Sequence, residues 1–290
     1  MRRLLFAICL LSATAFAHPS VSVVIDSKGN VFYSDLKQVW RVDPQGNKSV
    51  VVPGVHTHEL WLDSSDALYG EHLWYTGPQD GSGKWFHRVW KRTPDGHISD
   101  VIPATQGFRT TFSFVRDAAG NGYMAGESEG SSRSYVRLID SGGHARILAG
   151  GASGLRDGRG AEAGFEQILW MNFGADGNLY VVDHGNVRRV TRDGVVTTIG
   201  RNIAEHSRLE VMVNRQHDVM GLCADAAGNV YVAVSGARQI KKIGADGKVT
   251  VFARSTYPWS PTGIAVSGKK AYILEYADPF AVRIRSLAIK

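Results

Sequence analysis

The stretch GVHTHELWLD (54–63) brings His56, His58 and Glu59 together just ahead of an apolar strand. Imidazole and carboxylate are the groups that bind zinc or move protons near neutral pH. On an extended chain His56 and His58 share one face and Glu59 takes the other, so a metal site there needs donors from distant segments. His184 and the pair His217 and Asp218 are the available donors. Nothing in the spacing demands convergence. The expected state of these histidines is exposure in loops, and Glu59, His184 and His217 are not expected to meet. Other catalytic signatures are missing: there is no G-x-S-x-G elbow, no P-loop, and HEL at 58–60 lacks the second histidine of a zinc helix. No cofactor and no bound metal are expected.

The elements that must position these residues are short strands. ADGNLYVVDHGNVRRVTRDGVVTTIG (175–200) contains three alternating runs separated by Gly-bearing turns, a meander too small to stand alone. It recurs. DSKGNVFYSD (26–35), DSSDALYGE (63–71), DAAGNGYMAGE (117–127), GADGNLYVVD (174–183), DAAGNVYVAV (225–234) and VSGKKAYILE (266–275) align on one turn. The Gly and Asn residues of these turns are expected to supply positive φ. Each copy has an apolar strand before the turn and three further strands after it, the last reached through a second turn. Six such sheets protect their edges best when arranged radially, which predicts an all-β chain: a six-bladed β-propeller of four-stranded antiparallel blades. The last unit has room for about three strands. Its outer edge is expected to be short, with Arg283 and Arg285 exposed there as edge charges. Helical turns are expected only in GAEAGFEQI (160–168) and NIAEHSRLEVMVNR (202–215).

In a propeller the turn after the second strand and the approach to the innermost strand surround one mouth of the central channel. Asp35, Glu71, Glu127, Asp183 and Glu275 fall at or beside the first of these positions, and Val234 occupies it in unit five. A carboxylate ring would collect a hard cation or a basic partner, whereas capping of backbone N–H groups accounts for each acid separately and is the expected role. The second position holds Ser22, Glu59, Ser113, Trp170, Gly221 and Gly263. Trp74, Tyr75, the run WFHRVW (85–90), Tyr257 and Trp259 offer rings for carbohydrate or protein contact. Trp85 and Trp90 differ in strand parity, so at least one of them packs inward. Segment 72–88 is an insertion, expected to be the longest protrusion within a blade. The candidate ligand-binding residues are Glu59, His184, His217, Trp170, Glu127 and Glu275.

The span 148–200, with AGG, DGRGAEAGF, DGNLYVVD, NVRRV and GVVTTIG, resembles an NHL repeat with its Gly-rich lead-in, and 221–253 and 259–276 carry the resemblance further. The first three units resemble it less. NHL-like propellers usually have six blades, in agreement with the count of copies. The resemblance implies a fold rather than an activity, since related propellers bind proteins, glycans or RNA, act as lactonases and lyases, or have no known role. Gluconolactonase-like calcium propellers place a Glu at the first inner strand, where this chain reads SVSVVID. Streptogramin-lyase-like propellers repeat GPDGNLWFTE and place a catalytic His near the mouth, and GADGNLYVVDHGN approaches that pattern with His184.

MRRLLFAICLLSATAFAHPS reads as a signal peptide (1–17), with an A-x-A frame at Ala15 and Ala17 and the mature domain (18–290) beginning near His18. Its apolar run is too short to anchor a chain. Removal takes Cys9, leaving Cys223 without an intrachain partner, and takes Arg2 and Arg3, leaving 31 basic against 27 acidic residues. That mild surplus is dispersed on strand faces, so no nucleic-acid partner is expected. The expected protein is a secreted or periplasmic monomer that binds a protein, peptide or glycan at the channel mouth without catalysis. The alternatives are a metal-dependent lactonase or lyase using Glu59, His184 and His217, and a structural module of an envelope assembly.

Overall fold

The repeated D-x-x-G-N-x-Y turn is closed by its own side chains. Asp225 accepts the backbone N–H groups of Ala227 (3.0 Å) and Asn229 (2.9 Å), while the Asn229 amide and the Tyr231 hydroxyl donate to its second oxygen at 2.8 and 3.2 Å. Asp117 repeats the arrangement with Ala119, Asn121 and Tyr123, and Asp26 with Lys28 and Asn30. The glycine of each turn takes positive φ, as at Gly228 (80°), and Asp66 (61°) takes that place in DSSDALY. The expectation that Asn does the same is corrected: none of Asn30, Asn121, Asn178 or Asn229 has positive φ. Their amides tie the turn to the Asp instead.

The computed structural model describes residues 19–78, 82–107, 114–117, 119–127, 133–204, 218–277 and 281–289. Blade 1 is built from β1 (Val23–Ile25), β2 (Val31–Ser34), β3 (Gln38–Val42) and β4 (Lys48–Pro53). Blade 2 is built from β5 (Leu60–Leu62), β6 (Leu68–Thr76), β7 (Lys84–Arg92) and β8 (Ile98–Gln106). Blade 3 follows with β9 (Phe114–Arg116), β10 (Gly122–Glu127), β11 (Ser134–Ile139) and β12 (Ala145–Gly150). A two-residue strand, β13 (Gly158–Arg159), precedes blade 4, which comprises β14 (Ile168–Phe173), β15 (Leu179–Asp183), β16 (Asn186–Val190) and β17 (Val195–Gly200). Blade 5 is β18 (Val219–Ala224), β19 (Val230–Val234), β20 (Gln239–Ile243) and β21 (Val249–Arg254). Blade 6 has three strands, β22 (Ser260–Ser267), β23 (Lys270–Ala277) and β24 (Ala281–Ala288). Every pairing is antiparallel and sequential within its blade, and the innermost strand comes first in the chain.

Two local departures matter. β13 pairs with the outer edge of β17, Gly158 opposite Val196, so blade 4 gains a fifth strand and the lead-in DGRGAEAGF becomes an edge cover. The expected helical turn is a single 3-10 turn, Gly160–Glu162, and most of 202–215 lies outside the described residues. In blade 2 the insertion lengthens the β6–β7 hairpin to nine residues per strand, in register out to Thr76 opposite Lys84. Trp90 is fully buried there and Trp85 is 40% exposed, as strand parity requires.

The ring closes without a shared strand among the described residues. Blade 6 meets blade 1 through apolar packing of Val23, Val31 and Tyr33 against Ala265 and Leu274. The edge charges of blade 6 are partly exposed, as expected, but they are also paired. Arg283 and Arg285 turn back onto the fully buried carboxylate of Glu275, with Nε donors at 2.6 and 3.0 Å. A buried carboxylate costs several kcal/mol unless it is paired and hydrogen-bonded, and these two guanidinium groups supply both.

A candidate ligand-binding rim around a narrow channel

The six inner strands enclose a channel whose walls include Val23, Leu60, Val115, Trp170, Leu222 and Ile264, one from each blade. Among the described residues its walls are apolar apart from Ser22, Glu59 and Asn172, and Glu59 is the one ionisable side chain on them. The empty volume, including the open space at its mouth, is about 400 Å³.

The mouth is narrow because blades 5 and 6 approach the chain at Val21. A Cβ on Gly221 would sit 2.3 Å from the Val21 carbonyl oxygen, and one on Gly263 would sit 2.2 Å from it. On the other side the Val21 N–H donates to the His58 carbonyl at 3.1 Å, and the Ser20 hydroxyl donates to the same oxygen. Blade 5 is not a neighbour of blade 1 in the ring, so the chain at Val21 reaches across the mouth, and Val21 joins the apolar cluster that holds Trp170, Met220 and Leu222. Glycine at 221 and 263 is required by this contact and not by φ.

Three of the acids expected on the rim, Asp35, Asp183 and Glu275, stand in or just after the second strands of their blades and are held by hydrogen bonds. Asp35 caps the next turn, accepting the N–H groups of Lys37 and Gln38 (2.9 Å each) and the Trp40 indole (2.7 Å). Asp183 reaches the chain before β14 instead, accepting the N–H groups of Glu166 (2.8 Å) and Gln167 (2.9 Å) and the Arg188 guanidinium (2.6 Å). Glu275 accepts from Ser255, Arg283 and Arg285. Burial pushes the Glu275 carboxyl up, but these three donors outweigh it and hold the group below its ordinary range. Glu71 lies in β6 directly beyond the Leu60–Gly70 pair, on the same rim.

The six candidate residues are therefore distributed. Glu59, 8% exposed, and Trp170, 4% exposed, both line the channel. His184 is exposed in the β15–β16 turn with φ of 56°, donates its N–H to the Gln167 carbonyl (2.8 Å), and is not among the channel-lining residues. Glu127 ends β10 opposite Ser134. Glu275 is sealed under blade 6, and His217 lies outside the described residues. No group of three His, Cys, Asp or Glu side chains placed to hold a metal ion assembles among the described residues.

The histidines before β5 are not exposed loop groups, which corrects the expectation. His58 is buried, and His56 packs edge-on against it at 4.7 Å. The His56 N–H donates to Nδ1 of His72 at 2.8 Å, which makes that nitrogen an acceptor and His72 neutral. Burial lowers the pKa of both His56 and His72, and nearby Arg88 lowers that of His72 further. His72 stacks on Trp74 (4.9 Å), and Trp74 on Phe86 (5.6 Å), a line of rings running up the projecting hairpin. Sequence reasoning missed this line because His72 and His56 belong to different strand registers, and only the hairpin register joins them.

A second unforeseen cluster lies across the rim. Arg238, in the β19–β20 turn, stacks on Tyr257 (5.3 Å), and Arg283 stacks on Trp259 (4.1 Å). The aromatic pair was visible in STYPWS, but its arginine partners come from separate strands.

No family model matches the chain, and no curated protein matches it. Solved structures with the same fold do exist. An auxiliary nutrient binding protein from Bacteroides thetaiotaomicron is 14% identical, with a TM-score of 0.59 over 92% of this chain and 69% of its own. A gluconolactonase from Xanthomonas campestris is 11% identical, with a TM-score of 0.56 over 93% and 87% of the two chains. Virginiamycin B lyase from Staphylococcus aureus is 13% identical, with a TM-score of 0.50 over 92% and 84%. These neighbours are propeller proteins with dissimilar roles, and at such identities the likeness extends to the fold: this chain is a six-bladed β-propeller.

Proposed function

We propose that this chain is an exported NHL-like propeller that binds a protein, peptide or glycan on the channel-mouth face and performs no catalysis. The observation that carries this reading is the closure of the mouth by Ser20–Val21 against Gly221 and Gly263. A ligand approaching that face meets the rim turns and the long β6–β7 hairpin, with the Val21 backbone crowded against Gly221 and Gly263 at the mouth. The reading includes removal of the leader near His18, release to the periplasm or the exterior, a monomeric mature chain, and no nucleic-acid partner.

The test is a hydrogen-exchange footprint of the mature protein with a bound ligand drawn from a glycan and peptide screen. Protection is expected in the rim turns 35–38, 184–186, 235–238 and 255–259. Protection confined to the opposite turns, 26–30 and 225–229, overturns the reading. Metal analysis of the purified protein separates the lactonase or lyase alternative, because a stoichiometric ion would make Glu59 part of a metal site.

A further inference from the structure

We infer that the arginine and aromatic patch on the rim of blades 5 and 6 is a binding site for a uronic-acid-bearing oligosaccharide. The inference rests on the rim-binding reading above and names the ligand class for one sector of that rim.

The patch is continuous. Arg238 stacks on Tyr257, and its carbonyl accepts the Ser255 N–H (2.8 Å). The Ser255 hydroxyl donates to Glu275 (2.6 Å), which holds Arg283 and Arg285. Arg285 also reaches the Arg254 carbonyl (3.2 Å), and Arg283 lies over Trp259. The acids facing this group are Glu275 beneath it and Asp218 behind Gly236. Three guanidinium groups, those of Arg238, Arg283 and Arg285, against two carboxylates leave a local positive surplus among the described residues.

Two features distinguish the patch from dispersed surface charge. First, its central arginines are pre-ordered: Arg283 is 37% and Arg285 28% exposed, each fixed by a buried anion. The side-chain entropy that a ligand would otherwise have to remove is already lost on folding. Second, Tyr257 is 81% exposed, the most open large apolar residue described, and Arg238 covers one face of its ring. A protein that leaves a ring so open beside a guanidinium offers a flat stacking surface next to a fork of donors.

A hexuronate matches both. Its pyranose ring has an apolar C–H face for Tyr257, and its carboxylate sits at the ring edge, where an arginine can take it in two parallel hydrogen bonds. An acidic peptide supplies the charge without a rigid face, and inorganic phosphate supplies the charge without any use for Tyr257.

The experiment is calorimetric titration of the full mature chain with a galacturonate oligomer, its neutral galactose counterpart, an aspartate peptide and inorganic phosphate. The uronate is expected to bind, with affinity falling as salt rises, and the neutral oligomer to fail. Arg238→Ser and Tyr257→Ala are each expected to weaken binding by about tenfold or more without shifting the melting temperature, since each tenfold corresponds to about 1.4 kcal/mol of lost contact. Arg146→Ser, an exposed arginine of β12 remote from the patch, is expected to change nothing. Absence of uronate binding, equal binding of the neutral oligomer or the peptide, or indifference to both patch variants overturns the inference. If another ligand then protects rim turns elsewhere, the rim reading survives; protection confined to the opposite face removes both.

Discussion

Arg188 Nη1 donates to Asp183 Oδ2 at 2.6 Å with both side chains fully buried. The same guanidinium donates to the carbonyls of Gly164 (3.0 Å) and Arg156 (2.8 Å) and to Asp157 (3.0 Å). One arginine from β16 thus pins the Gly-rich lead-in to blade 4, and Asp183 fixes the two backbone N–H groups that follow it. Replacing Arg188 with Met should destabilise the protein by about 3–5 kcal/mol, because Asp183 is left as an uncompensated buried charge. Urea unfolding measures this. A loss below about 1 kcal/mol, the ordinary value of an exposed pair, would show that the clamp is dispensable.

Gly221→Ala and Gly228→Ala should fail for different reasons. At Gly228 a Cβ has space, with Ala245 at 3.9 Å, and the cost of roughly 1–2 kcal/mol comes from holding alanine at φ of 80°. At Gly221 the backbone is ordinary and the cost is a clash with the Val21 carbonyl. Only Gly221→Ala is expected to raise hydrogen exchange at Val21, a readout that separates the two.

Stability should fall on mild acidification. Burial holds the pKa values of His56 and His72 below the ordinary histidine value of about 6.5 in the folded chain, so the unfolded chain binds more protons as pH drops. Their contribution is complete above about pH 6.5 and is lost as pH falls from there toward the folded values. Melting temperatures measured across this interval should decline, and His72→Gln should flatten the decline. An unchanged slope in that variant would refute the role given to His72.

Trp90→Ala should cost about 3–5 kcal/mol, whereas Trp85→Ala should stay within about 1 kcal/mol. Trp90 is fully buried, seated so tightly that a Cβ on Gly70 would lie 2.3 Å from its ring. Thermal melts of both variants test the assignment of faces in the long hairpin.

Much of this architecture is legible in the sequence because it is written in local rules. Strand alternation and the D-x-x-G-N turn act over a handful of residues, so six copies announce six blades, and the short final unit announces a three-stranded one. Parity alone separates Trp85 from Trp90. The candidate site is only partly legible. Glu59 and Trp170 could be placed at the channel because their positions repeat with the blades. What surrounds them could not, since the chain at Val21 meets Gly221 and Gly263 across 200 and more residues. Arg283 and Arg285 look like edge charges on β24 until β23 is folded beside them and supplies Glu275, whose burial demands partners. The stacking of Arg238 on Tyr257 likewise joins a turn to an interblade loop. Periodicity determines where a side chain points. Only tertiary packing decides what it meets, because the energies of burial and pairing depend on neighbours that the local pattern does not contain.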